Sequence, residues 1–316
     1  MKLTHLIYGV ISVLILHQNI FAQSEPNLAE RLGYEKNAKL LIIHADDLGL
    51  SHSTDSAVIS AFDKEGITSG SIMVPCPWFP EIAAFAKNNP GDDIGIHLTL
   101  TSEWENYKFG PVTSSDLVPS LQNKEGYFYP TVEEFGKNAN PSEVEKELRA
   151  QIDRAIAFGI RPTHLDNHMG SVMVNPAFYQ ILLKLGHEYH IPVLIPKDML
   201  QAAAPQFLEQ IGKENIMVDH LFMLNQAPAG GNWMAPYKDF IENMQPGLNQ
   251  IIVHLAYDND ESRAIMIHHD DFGSQWRQHD YDLMTSDEMK ALLEKNNIKL
   301  VTWRQIKDIM YTENGK

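Results

Sequence analysis

Two adjacent carboxylates, Asp46 and Asp47, end the apolar run Leu40-Leu41-Ile42-Ile43. Desolvating two ionised carboxylates inside a buried strand is costly unless something compensates them. The pair is therefore expected at the C-terminal end of its strand, facing a cleft, with Gly49 turning the chain away. Three further strand-like runs end in ionisable groups: His97, the set His164-x-Asp166-x-His168, and His254. Residues two apart on a strand share a face, so His164, Asp166 and His168 point one way if the strand extends that far. One histidine at a strand end is usually a hydrogen-bonded structural residue. Four clusters at the same end of successive strands form a pattern, and a mixed histidine and carboxylate set with an open position suits a catalytic divalent metal.

The elements that must position these groups alternate between strand and helix. Strands are expected over 38–45, 68–74, 94–100, 193–195, within 215–224, over 250–254 and over 299–302. Helices are expected over 53–64, 79–87, 142–158, 176–189, 237–244, 286–295 and 303–310. Ser142 with Glu145 predicts a capping box, and Asn175-Pro176 predicts an N-cap followed by proline at the first helical position. The alternation predicts an α/β fold of mainly parallel strands. Ligands of such folds bind at the C-terminal ends of the strands. Residues 101–140 interrupt the rhythm with an aromatic-rich excursion, where rings such as Trp104 either stack on sugars or pin the loop. The segment His268-His269-Asp270-Asp271-Phe272-Gly273 imitates the opening motif without a comparable apolar run before it. It is read as a loop over the site, followed by Trp276, Arg277 and Asp280. Arg277 there is a candidate substrate contact or one half of a surface ion pair.

Composition sets the outer bounds. The chain has 316 residues with a formal net charge of −16, which leaves no basic surplus for nucleic acid. Lys2, the apolar stretch from Leu6 to Leu16 and Ala22 predict a signal peptide over 1–22. A leader over 23–37 and one domain over 38–312 then follow. The expected destination is the periplasm or the extracellular space, with no membrane insertion after cleavage. Cys76 is the only cysteine, so no intramolecular disulfide is available, and it reads as a small buried hydrophobe.

Asp46-Asp47-x-Gly49, Gly95-Ile96-His97-Leu98-Thr99-Leu100 and Pro162-Thr163-His164-Leu165-Asp166-x-His168 together resemble the YdjC/ChbG-type carbohydrate deacetylases, relatives of the NodB-type polysaccharide deacetylases. The resemblance spans nearly the whole mature chain. It implies a distorted, TIM-like (β/α) barrel and one divalent metal ion, Mg2+ or Zn2+. By motif position it implies Asp47, His97 and His168 as metal ligands, Asp46 as general base and His254 as general acid. The implied reaction is hydrolysis of N-acetyl groups on the amino sugars of an acetylated oligosaccharide or glycan. A metal-dependent esterase on the same scaffold and a non-catalytic carbohydrate-binding protein are the alternatives. Asp166 is expected to orient a ligand imidazole or His254. His164 either lines the site or holds the strand end, and Trp78, Trp104 and Arg277 are candidates for substrate contact. Two departures from the family pattern stand out. Met169-Gly170-Ser171-Val172 follows His168, and Leu255-Ala256-Tyr257-Asp258 replaces the Pro-Gly that follows the late histidine.

Overall fold

In β1 (Lys39–Leu48) the side chains alternate between two environments. Leu41, Ile43 and Ala45 join the layer under the helices, whereas Leu40 and Ile42 join a second cluster with Leu194, Val218, Leu248, Ile252 and Trp303. That second cluster fills the inside of a curled, parallel sheet. The computed structural model of the protein describes residues 25–311. The signal peptide expected over 1–22 lies outside them. Among the described residues no helix is long and apolar enough to cross a membrane.

The other strands are β2 (Ser69–Ile72), β3 (Ile94–Leu98), β4 (Leu165–Asn167), β5 (His220–Met223), β6 (Gly247–His254) and β7 (Lys299–Leu300). They hydrogen-bond in the order β4-β3-β2-β1-β6-β5, all parallel. β6 pairs with β1 from Lys39 to Asp46, whereas β7 pairs only with Leu40 and Leu41, below the stretch of β1 that takes β2. The strand expected at 193–195 is reduced to isolated bridges, Leu165 to Val193 and Pro196 to Val218. These bridges span the gap between β4 and the segment leading into β5, so the sheet curls into a distorted barrel.

Helices cover the outside. Asn175 caps Pro176–Tyr189 as expected, its side chain accepting from the Ala177 N–H. The capping box at Ser142 is not formed. Helix Pro141–Ala157 starts one residue earlier, with Asn140 as the N-cap and proline at the first position, the same arrangement as at Asn175. Val144, Leu148, Ile152, Ala155 and Ile156 recur at helical spacing as an apolar stripe; the first four are buried and Ile156 faces solvent. The excursion over 101–140 is a packed unit with its own helix, Val132–Asn138, and buried Trp104, Phe109, Phe128 and Phe135. Its rings serve mainly as core. The stretch expected as a leader also packs: helix Leu28–Arg31 buries Ala29 against the inner cluster. The loop expected around Arg277 is helix Ser274–Met284. Its polar sequence hides the pattern, because the buried face carries Arg277 and Asp280 beside Trp276 and Tyr281.

Candidate metal centre

Ideal alternation would put Asp46 and Asp47 on opposite faces of β1. The register of β1 against β2 slips between Ala45 and Leu48, and Asp47 takes φ +69°, an uncommon conformation for a non-glycine residue. This bulge turns both carboxylates toward one cavity of about 430 Å³, together with His97, His168 and His254. Gly49, at φ +87°, then turns the chain away under the Met73 carbonyl, from which an added Cβ would stand only 3.3 Å.

Three acceptor atoms converge in that cavity. Asp47 Oδ1 is buried without a well-formed hydrogen bond. It stands 3.3 Å from His168 Nδ1 and 3.5 Å from His97 Nε2, and the two imidazole nitrogens are 3.3 Å apart. The opposite atom of each group is already engaged. His97 Nδ1 donates to Asp166 Oδ1 (2.8 Å), His168 Nε2 donates to Glu103 Oε2 (3.0 Å), and Arg277 Nη2 donates to Asp47 Oδ2 (2.7 Å). The hydrogen-bonded tautomers therefore aim lone pairs at one another, which calls for a cation between them. Bonds of about 2.1 Å to a tetrahedral or octahedral ion put neighbouring donor atoms about 3.0–3.4 Å apart, close to the spacing found here. These residues fit a divalent metal. Two other histidine and carboxylate groups, His44-His164-Asp166 and Asp46-His97-Asp166, are also close enough to hold an ion. They share Asp166, whose oxygens are already bonded to His97 and His44, and neither His44 nor His164 lines the cavity.

Burial opposes ionisation of Asp47, but the Arg277 guanidinium and then His168 outweigh it and hold the carboxyl well below the usual range. Burial likewise opposes the charged form of His168, yet Glu103 and then Asp47 outweigh it and push the imidazole up to about 10, so that without a cation between these groups Nδ1 carries a proton toward Asp47; a divalent ion would take the place of that proton. For His44, burial is overcome by hydrogen bonds to Asp166 and Asp46, and its imidazole also rises to about 10.

Residues 40–295 match the family described as YdjC-like protein. The chain belongs to this family. Among YdjC-like relatives, a carbohydrate deacetylase of Thermus thermophilus is 31% identical over 291 residues, covering 90% of this chain and all of its own. A carbohydrate deacetylase of Listeria monocytogenes is 25% identical over 84% of this chain and 99% of its own. Among solved structures, a putative cellobiose-phosphate cleavage protein from Enterococcus faecalis aligns with a TM-score of 0.71 at 26% identity, covering 85% of this chain and 99% of its own.

In this YdjC-like site Asp46 and His254 face each other at 4.0 Å (Oδ2 to Nε2). Asp46 Oδ1 lies 2.9 Å from His44 Nε2 and accepts from the Ser71 hydroxyl at 3.4 Å. Burial pushes His254 down to about 4. Asp166 serves His97 and His44; it does not touch His254, whose backbone N–H donates to Asp280 Oδ2 (3.1 Å). His164 is sealed below the site, stacked on Trp303 at 5.2 Å, with Nδ1 3.0 Å from the Thr163 hydroxyl. Trp104 lines the cavity although almost wholly buried. Trp78 does not: it is 36% exposed against His52, at the start of helix Phe79–Asn88. Arg277 is a buried partner of Asp47 and so forms no surface pair. The expected loop contributes His269, Asp271 and Phe272 to the cavity wall. Cys76 is buried, and burial pushes its thiol up.

Two groups with no role expected from the sequence complete the arrangement. His44 shares the face of Asp46 by the two-residue period, a signal available in the sequence. Glu103 lies in the excursion, where nothing local marks it.

Gly95 explains itself here. A Cβ at this position would fall 2.4–2.6 Å from the His164 ring. Gly95→Ala is expected to cost about 1–3 kcal/mol by overpacking, measured by urea unfolding; an unchanged midpoint would contradict this close approach. Asp280 supplies a pH test. Burial pushes its carboxyl up to about 7 even though Tyr237 Oη donates to it at 2.7 Å. A carboxyl raised on folding stabilises most below its unfolded value near 4 and loses that contribution as pH rises toward 7. Asp280→Asn should therefore remove a downward slope of up to about 1.4 kcal/mol per pH unit in that window. Parallel stability curves for the two proteins would refute it.

Proposed function

We propose that the protein is a metal-dependent carbohydrate deacetylase that hydrolyses N-acetyl groups on amino sugars. The observation that carries this reading is the convergence of Asp47 Oδ1, His97 Nε2 and His168 Nδ1, each held from behind by a partner. Its YdjC-like relatives named carbohydrate deacetylase support the substrate class. Two imidazoles beside one carboxylate favour Zn2+ over Mg2+, which prefers oxygen donors. When bound, the metal would polarise the acetyl carbonyl and acidify a water.

The chain's own residues move the protons. Asp46, with Oδ1 anchored on His44 and Ser71, keeps Oδ2 toward the cavity. It is the base that takes the proton of the attacking water. The C–O bond forms, the C–N bond breaks, and the leaving amine needs a proton. His254 stands across from Asp46, but its depressed pKa leaves it neutral near pH 7. It acts as acid once it has received a proton, and Asp46 lies 4.0 Å away to supply it. Beyond the carboxylates and imidazoles the cavity wall turns apolar, with Met169, Met173, Leu221, Met223 and Ile252. That side suits the apolar face or an apolar substituent of the sugar. Export to the periplasm or beyond belongs to this proposal, supported by the sequence of residues 1–22.

The test is acetate release from a panel of N- and O-acetylated oligosaccharides, with and without a chelator. Chelator-sensitive release from N-acetylated members is expected. No chelator-sensitive release across the panel would overturn the proposal, and release from O-acetyl members alone would make the protein an esterase.

A further inference from the structure

The segment His268–Gly273, which imitates the opening Asp-Asp motif, contributes through its backbone. Phe272 sits at φ +57°, and its carbonyl accepts from Arg277 Nε at 2.7 Å. The next donor on the same guanidinium, Nη2, goes to Asp47 Oδ2 at 2.7 Å. A guanidinium normally meets a carboxylate with two parallel donors, which occupy both oxygens. Here the Nε–Nη2 edge is divided between the loop carbonyl and Asp47, and Nη1 has no hydrogen-bond partner among the described residues, so Asp47 receives a single contact from Arg277. Its Oδ1 stays unpaired and turned toward His97 and His168. The guanidinium is held over the Trp104 ring, 5.4 Å from its centroid, and is almost wholly buried. The ring of Phe272 in turn meets His254 at 5.1 Å. One side chain therefore joins the loop, the aromatic wall and the carboxylate of the metal centre.

We infer that Arg277 is the positioning residue of this centre: by splitting its fork between the Phe272 carbonyl and Asp47, it presents Asp47 Oδ1 to the metal. This inference rests on the metal-centred reading of the preceding section. A carboxylate without that grip is free to rotate or to meet a cation through either oxygen, which loosens the preorganised donor set. Lysine keeps the charge but lacks the planar fork, so it cannot hold the loop carbonyl and the carboxylate in one fixed geometry.

The experiment uses the full chain loaded with Co2+, whose visible absorption reports coordination, and measures Co2+ affinity by competition with a chelator. Arg277→Lys is expected to bind Co2+ about 10–100-fold more weakly, the usual loss when an outer partner of a ligand is removed, with an altered absorption spectrum at saturation. Arg277→Ala should lose at least as much. Millimolar methylguanidinium should restore its affinity and acetate release, whereas methylammonium at equal ionic strength should not. A residue that merely stabilises the fold would lower the melting temperature without moving Co2+ affinity or the spectrum well below it. If Arg277→Ala does not fold, the Arg277→Lys affinity and spectrum decide. Wild-type affinity and spectrum in Arg277→Lys would overturn this inference alone. A wild-type chain that binds no Co2+ would overturn both it and the metal-centred reading.

Discussion

Asp46→Asn is expected to lower turnover about 10²–10⁴-fold, the contribution typical of a positioned general base, while metal content per chain stays unchanged. The two halves of the result come from different atoms. Asp46 is not among the three convergent acceptors; its nearest partners are His44 and Ser71 behind it and His254 across the cavity. Asparagine matches the carboxylate in shape and can still accept from Ser71 through its amide oxygen. What it loses is the basicity and the negative charge beside His44. Turnover on an N-acetylated oligosaccharide and metal analysis of the same preparation make the test. Full activity would remove Asp46 from its role, and loss of the metal would move it into the ligand set.

His97→Ala has the opposite signature. His97 presents one nitrogen to Asp47 and His168 and the other to Asp166, so its removal deletes a donor and leaves the Asp166 carboxylate with His44 at 2.9 Å and His164 at 3.8 Å, both on Oδ2, and nothing among the described residues on Oδ1. Loss of an outer partner alone costs about 10–100-fold in metal affinity; loss of the donor itself is expected to exceed that and abolish turnover at ordinary metal concentrations. The stability effect is separable. A buried carboxylate deprived of a hydrogen-bonding partner costs about 1–3 kcal/mol or more, so the variant should melt lower even in the presence of chelator, where the wild type also lacks metal. Metal retained by His97→Ala at the wild-type level would remove this histidine from the centre.

Much of this arrangement can be read from residue types and the two-residue period. Apolar runs ending in Asp46-Asp47, His97 and His254 mark parallel strands that open on one cleft. The same period places His44 with Asp46, yet its position inside an apolar run disguises it. The bulge that brings Asp47 beside Asp46 leaves no local trace, because no glycine stands at the left-handed position. Arg277 and Asp280 are hidden for another reason. A helix whose buried face is partly charged has no clean apolar stripe, and its pairing with β1 and β6 depends on residues far away in sequence. Glu103 is hidden in the same way. The helix start at Asn140 follows the Asn-Pro grammar seen at Asn175, which a nearby Ser-x-x-Glu obscures.

The contacts around the carboxylates span great distances along the chain. Asp47 and Arg277 are 230 residues apart, His44 and Asp166 are 122 apart, and the N–H of Trp303, which starts the helix that closes the barrel floor, donates to Asp93 across 210 residues. A chain made from its N-terminus therefore displays Asp47 long before Arg277 exists, whereas His44, the partner of Asp46, precedes it on the same strand. Such distant pairings form late and slowly. Asp47 must wait, with its charge in water, until helix Ser274–Met284 has been synthesised.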